Sequence, residues 1–397
     1  MKKLSRVLGM IMAFTLVFAM FAGCSGSSGG SQSSAPAAPS SSAASTDSAA
    51  PSDSAAPATE GRQNDGSPAK TNVKMAVILP SLGHEFWNNY IAFMQQGADE
   101  LGIELTVLNA EDKSDKAAQY IEDACSMGVD ALIFTPYFDL GKKCLDDTKN
   151  ANIPVVFTDC YIPDIQPQTT YPNYIAFVGP ADFESGYQMG KKLIETMQPG
   201  ADGKKVIGIV DGTPGSTVAI DRRAGLDKAI EEAGDSVHIG GQVVGNFVRD
   251  TSQSVTESML QGNPDITGIW AANGGTATGV INAIKTAGKV PGKDILVVGM
   301  DLNPENVAAV ETGELLFDVG GHWLQGAFAM NILYDYLNGF DVPEEARDNK
   351  LNPISITQDT VAAFKAAFPA GVPVYDFKEN SRVYNPNASA MPPKLGY

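Results

Sequence analysis

His84, Phe86 and Trp87 stand where an apolar, strand-like run, Val73–Pro80, gives way to a helical pattern. Two flat apolar rings beside a polar one suit the capture of a small molecule, and the carboxyl end of a strand is where α/β proteins bind ligands. Asp159 and Asp301 share that setting, each closing an apolar strand-like run. A carboxylate there is costly unless it is paired or used. No helical pattern follows Asp159 closely, which favours use, whereas Asp301 could instead cap a short helix after Pro304. Catalytic signatures are missing. There is no G-x-S-x-G elbow between strand and helix, no phosphate loop with its lysine and no dinucleotide fingerprint. The run His84–Asn88 lacks the second histidine of a zinc motif, and the chain has three histidines in all. The Gly212–Ser216 turn could cradle an anion at a helix start, but without a lysine it reads as an ordinary strand-to-helix loop. No cofactor or metal is called for, and an enzyme is not expected.

The elements that position these residues are short strands apolar on both faces, alternating with periodic helical segments. The strand-like runs are Val77–Leu79, Leu105–Leu108, Ala131–Phe134, Pro154–Thr158, Val206–Val210, Ile266–Ala271 and Ile295–Met300. The first helix carries Trp87, Ile91, Met94, Ala98 and Leu101 at steps of four and three, a continuous stripe. Strict alternation of this kind predicts an α/β fold with doubly wound parallel sheets. The pattern also restarts. One series ends near Asp159, an irregular Pro- and Tyr-containing loop follows to Tyr174, and a second series begins at Lys205. Two lobes with a cleft facing the carboxyl ends of both sheets explain this better than one eight-fold barrel, which the break and the uneven spacing fit poorly.

The chain of 397 residues begins with Lys2, Lys3 and Arg6, followed by an apolar run from Val7 to Ala22 that is short for a membrane span. This is the layout of an export signal over residues 1–23. It ends at Phe21–Ala22–Gly23–Cys24, which resembles the lipobox of bacterial lipoproteins and implies lipidation at Cys24, although Phe21 stands where an aliphatic residue is usual. From Ser25 to about Pro68 the chain is dominated by Ser, Ala, Pro, Gly and Asp and has no aromatic, Leu, Ile or Val. Such a segment cannot offset its ordering entropy by burial, so residues 24–70 read as a lipid-anchored tether with a reach on the order of 35–40 Å. The remaining body, roughly 325 residues, suits two domains rather than one core. A formal charge of −18 argues against a nucleic-acid partner. Cys125 follows Ile121, and Cys144 follows Leu140, by one helical turn, so both are expected as core thiols rather than disulfide partners.

From Val73 to Thr357 the chain resembles the solute-binding proteins of sugar importers, in particular the ribose- and galactose-binding group of two-lobed, type I periplasmic binding proteins. The pieces arrive in that family's order. They are the opening strand with His84–Trp87; Asn152–Val156 leading to Asp159; Val178–Pro180; Asp211–Ser216; Trp270–Asn273; and Val297–Asp301. The resemblance implies two lobes joined by a three-strand hinge, with crossings near Gly179–Pro180, Gly321–His322 and Asn352–Ile354. It assigns 71–179 with 322–353 to the N-terminal lobe, 180–321 with 354–370 to the C-terminal lobe, and 371–397 to an extension beyond the family's usual length. It also implies capture of a sugar or polyol by lobe closure, delivery to the permease of an ATP-driven importer, a monomeric state, and a place on the outer face of the membrane. The same fold serves sensing through a chemoreceptor or kinase, which the sequence does not separate from transport. A transcriptional repressor's effector domain shares it too, but the export signal argues against that.

For the site, the resemblance implies that Phe86 stacks on the apolar face of a sugar with Trp87 beside it, and that His84 is a ligand-facing polar group. Asp159, Asn273 and Asp301 become hydroxyl-binding groups, Phe247 an aromatic of the second lobe, and His322 a further polar contact at the second crossing. Carboxylates and amides suit the task because each can hold two neighbouring hydroxyls. Two departures stand out. Ribose binders of the family carry arginines directly after the strand-end aspartate and in the first turn of the helix near Thr217; here Cys160 and Ile220 occupy those places. Both are expected to face the ligand, Ile220 because it lies off the Leu226/Ile230 stripe. The site is therefore expected to lose two guanidinium forks. Arg222 and Arg223 lie close by and could substitute, but ideal helix geometry turns them about 200° and 300° from Ile220. The expected ligand is accordingly not ribose, and is either less densely hydroxylated on one edge or larger and more apolar.

Overall fold

The computed structural model describes residues 66–396 apart from 201, 370 and 395; the export signal, Cys24 and nearly all of the tether lie outside the described residues. The described residues form two six-stranded sheets, each clothed by helices. The first lobe is built from β1 (Lys74–Leu79), α1 (Glu85–Leu101), β2 (Glu104–Asn109), α2 (Ser114–Ser126), β3 (Ala131–Phe134), α3 (Gly141–Asn150), β4 (Val155–Thr158) and β5 (Tyr174–Pro180). The chain then passes into the second lobe with α4 (Asp182–Thr196), β6 (Lys205–Asp211), α5 (Thr217–Ala233), β7 (Val237–Val244), α6 (Arg249–Gly262), β8 (Gly268–Ala271), α7 (Gly274–Thr286), β9 (Leu296–Asp301), α8 (Pro304–Thr312) and β10 (Phe317–Gly320). It returns to the first lobe for α9 (Gln325–Leu337) and β11 (Asp348–Leu351), and to the second for β12 (Ile354–Ile356) and α10 (Val361–Ala367).

Strand order is β11-β5-β4-β3-β1-β2 in one sheet and β12-β10-β9-β8-β6-β7 in the other. All pairs are parallel except β10 with β12. Two open sheets exclude the closed barrel. In each, the order reverses about its opening strand: β1 pairs with β2 on one side and β3 on the other, as β6 does with β7 and β8. Such a reversal splays the connecting loops apart and leaves a crevice at the carboxyl ends of the strands. The strands form because β-branched and aromatic residues pack on both faces. Met75, Val77 and Leu79 point to one helical layer, and Ala76 and Ile78, with Phe134 and Phe157, to the other.

Cys144 is buried, Cys125 half-buried, and neither is in a disulfide. The segment from Gly371 onward is packed rather than loose. Phe377 is fully buried beside Phe93 of α1, and Asp335 of α9 accepts hydrogen bonds from Ser381 Oγ at 2.6 Å and from the Arg382 backbone at 3.0 Å. Gly97 of α1 is required there, since a Cβ would overlap the Phe377 ring and the Met330 side chain. Among the described residues, no helix is long and apolar enough to cross a membrane.

Candidate functional site

α1 delivers the first wall. Its N-terminal turn brings Phe86 and Trp87 together edge to face at 4.8 Å, and Phe86 lies against the His322 ring at 4.6 Å and 31°. His84 precedes that helix and sits half-buried with Nε2 3.3 Å from Asp112 Oδ2. At the end of β4, Asp159 turns into the cleft with φ of 66°. Its Oδ2 accepts from the Tyr137 hydroxyl at 3.0 Å and its Oδ1 from Gln325 Nε2 at 3.0 Å, while its own N–H donates to Gln325 Oε1 at 3.1 Å. The carboxylate is thereby fixed in direction before any ligand arrives.

The second lobe supplies the opposite wall. Asp301 ends β9 with φ of 106°, accepting from the Gly274 N–H at 2.9 Å. Asn273 caps α7 through Oδ1, which accepts from Thr276 N at 2.9 Å, and its NH₂ remains a donor. Phe247, also at positive φ, faces the Arg222 guanidinium at 5.7 Å. Arg222 sits on the buried stripe Val218–Arg222–Gly225–Leu226–Ala229 of α5. Its Nε donates to Asp182 Oδ1 at 2.6 Å and its Nη1 to the Ala272 carbonyl at 3.0 Å. Gly186 and Gly225 make that geometry available. A Cβ on either would run into the backbone of the facing helix, so only glycine lets α4 and α5 approach this closely.

These groups converge on one cavity of about 300 Å³ between the lobes. Its lining takes in His84, Phe86, Trp87, Asp159, Phe247, Asn273, Asp301 and His322 together with Tyr137, Phe138, Val218 and Arg222. Cys160 and Ile220 are not part of it. They face an adjoining groove of about 470 Å³ with Tyr161, Ile162 and Pro214, and Ile220 is 55% exposed. Of the two guanidinium forks expected to be lost, one is supplied after all, by Arg222. The cavity lies over the Val218/Arg222 stripe of α5, so the turn that carries Arg222 away from Ile220 carries it into the centre of the cleft. Arg223 points elsewhere, pairing with Asp211 and Asp227.

Burial dominates the electrostatics. It pushes the pKa of Asp301 up to about 6 and that of Asp182 to about 7, against the opposing pull of Arg222. Asp159 is raised for the same reason, opposed by Arg222, Gln325 and Tyr137. Burial also works against the charge on Arg222, but Asp182, Asp301 and Asp159 outweigh it and hold the guanidinium protonated. His322 is driven well below its ordinary value by burial and by Arg222. The 3.6 Å approach of its Nε2 to Asp301 therefore joins a neutral imidazole to a carboxyl group rather than forming an ion pair. Its Nδ1 is buried without a hydrogen-bond partner, a polar atom left for something else to satisfy.

Two contributors, Tyr137 and Gln325, are not marked out by the sequence as site residues, and a third, Arg222, is set aside there on helix geometry; each left a trace. Tyr137 follows β3 as His84 follows β1, the same strand-end rule applied one strand over. Gln325 is a polar residue in a helix that is otherwise apolar nearly all round. Arg222 is a charge set on an apolar helical stripe. The lobes already touch on either side of the cavity. Tyr161 donates its hydroxyl to Asp221 at 2.8 Å and its N–H to Thr217 Oγ1 at 3.3 Å, and Asn89 Nδ2 reaches Asn303 Oδ1 at 3.4 Å. No group of His, Cys, Asp and Glu among the described residues could hold a metal ion.

The galactofuranose-binding protein YtfQ of Escherichia coli (strain K12) is 31% identical over 223 residues, covering 55% of this chain and 67% of that protein. The ribose import binding protein RbsB of Bacillus subtilis (strain 168) is 24% identical over 278 residues, covering 70% and 85%. A crystal structure of a galactofuranose binding protein matches with a TM-score of 0.67 at 25% identity, over 73% of this chain and 96% of that one. The family model described as a periplasmic binding protein domain matches residues 75–340, well over half of the sequence. With two doubly wound lobes, a cavity at both sheets' carboxyl ends and this match, the chain belongs to the periplasmic binding protein family.

Proposed function

We propose that this chain is the solute-binding component of an ATP-driven importer, capturing a monosaccharide or a related polyhydroxylated small molecule between its lobes and presenting it to the permease. The supporting observation is the composition of the cavity: aromatic faces from Phe86, Trp87 and Phe247, and around them Asp159, Asn273, Arg222 and Asp301 drawn from both lobes. A sugar ring has an apolar C–H face and a rim of hydroxyls, and this arrangement matches both. Because each lobe supplies only part of the set, a ligand that touches both stabilises the closed form over the open one. The relatives named for galactofuranose and ribose support the substrate class. The leader, Cys24 and the tether support anchoring on the outer face of the membrane, and the role proposed is that of a monomer that binds its solute without catalysis. Calorimetric titration with pentoses, hexoses in both ring forms and inositols, paired with small-angle scattering with and without ligand, tests the reading. At least one such compound is expected to bind with a decrease in radius of gyration. Failure of the whole panel to bind would overturn it.

A further inference from the structure

The groove beside the central cavity has a different character from the cavity itself. The two are continuous, since Tyr137, Phe138 and Thr213 line both. Phe138 of the first lobe and Ile220 of the second are large apolar side chains left 38% and 55% exposed there, and Ile162, Pro163 and Pro214 extend the same surface. The polar groups of the groove are largely engaged with one another. The Tyr161 hydroxyl donates to Asp221, its N–H to Thr217, and Ser216 Oγ donates to the Thr213 carbonyl. The charged residues of the groove, Asp139 and Lys142, are both exposed, and Lys142 is held by Asp146 at 2.7 Å; no buried carboxylate or guanidinium like those of the cavity lines it, so a second hydroxylated ring seated against Phe138 and Ile220 would lose water while regaining few fixed partners. A flat apolar group would lose nothing and would cover Phe138 and Ile220.

We infer that the solute is a two-part molecule: a polyhydroxylated ring held in the central cavity, carrying an apolar, preferably aromatic, substituent that lies in the groove between Phe138 and Ile220. This rests on the reading of the cavity as a sugar site and deepens it to a substrate class, sugars bearing an apolar aglycone. Titration calorimetry with D-ribose, L-arabinose, D-galactose and D-allose, each free, as the methyl glycoside and as the phenyl glycoside, tests it on the wild type and on Ile220→Asp. For at least one sugar the phenyl glycoside is expected to bind about tenfold more tightly than the free sugar, with the methyl glycoside between them, from the apolar area covered. Ile220→Asp is expected to erase that ratio. Free sugars that bind as tightly as their phenyl glycosides, a ratio that survives Ile220→Asp, or a disaccharide that matches the phenyl glycoside would each overturn the inference while leaving the sugar-site reading intact. Binding of none of these compounds, free or substituted, would overturn the inference, and the sugar-site reading falls with it when the wider panel of pentoses, hexoses and inositols fails as well.

Discussion

Asp301 shows how a single residue is set for its task. It is 2% exposed, held at φ of 106° and lies in the field of Arg222, so its backbone and its charge both stand away from their relaxed values. Asp159 and Phe247 also sit at positive φ, so unfavourable backbone geometry gathers on cavity-lining residues. With a folded-state pKa of about 6, Asp301 binds protons more tightly folded than unfolded. Its contribution to stability is present below about pH 4 and is lost as the pH rises through 6. A sugar hydroxyl donating to the carboxylate favours the ionised form, so ligand binding near pH 6 releases protons and strengthens as the pH rises from 5 to 7.5. Calorimetry in two buffers of different ionisation enthalpy should detect that release. Asp301→Asn, which keeps an acceptor for the Gly274 N–H, should flatten the slope; an unchanged slope would assign the proton elsewhere. The placement of Asp301 and Asp159 was legible because a carboxylate closing an apolar strand is conspicuous. Arg222 was not, because the reading followed the chemistry of position 220 and the Leu226/Ile230 stripe, whereas the buried stripe runs through 218, 222 and 226.

At the scale of elements, the site depends on how closely α4 and α5 pack. Gly186 and Gly225 allow the contact that sets Asp182 against Arg222, and Arg222 is thereby held over the cavity. Gly225→Ala places a methyl group against the Phe183 carbonyl, so the helices must separate. A loss of about 1–3 kcal/mol in urea unfolding is expected, together with weaker ligand binding as the guanidinium shifts; full binding would show that Arg222 is placed without this packing. The alternation of strands and helices was plain in the sequence because parallel strands buried on both faces read as apolar runs. β7 was less so. It lies at the sheet edge, half exposed, and its His238, Gly240, Gly241 and Gln242 break any apolar run, so strand and turn read alike. The close α4–α5 contact was not legible either, since glycines in a helix signal proximity without naming the partner.

At the scale of the whole molecule, the segment after Gly371 is part of the first lobe's packing. Phe377 fills a site between α1 and α9, and Tyr384 meets Tyr334 hydroxyl to hydroxyl at 2.9 Å. Because α1 carries Phe86 and Trp87 at its other end, this contact bears on the aromatic wall as well. Phe377→Ala should cost about 3–5 kcal/mol by chemical denaturation, and a change under 1 kcal/mol would mean the segment merely rests on the surface. In the sequence this stretch reads only as an extension beyond the family's usual length, with no hint of its anchor, since one phenylalanine without periodicity has no pattern to read. The pairing of β5 with β11 joins distant parts of the chain. The Asn349 side chain that donates to the Phe177 carbonyl lies 172 residues further along the chain. Neither lobe is a continuous stretch of polypeptide, so the first cannot complete its sheet until most of the second has been made. Closing so long a loop is an entropic barrier met late in folding, with the outer edge of β5 unpaired until then. Pulse-labelled hydrogen exchange during refolding should find the amides of β5 and β11 protected after those of β1 and β3. Until that final pairing the newborn chain has a sheet whose β5 edge stands open to other strands, which makes its passage to the folded state a race against self-association.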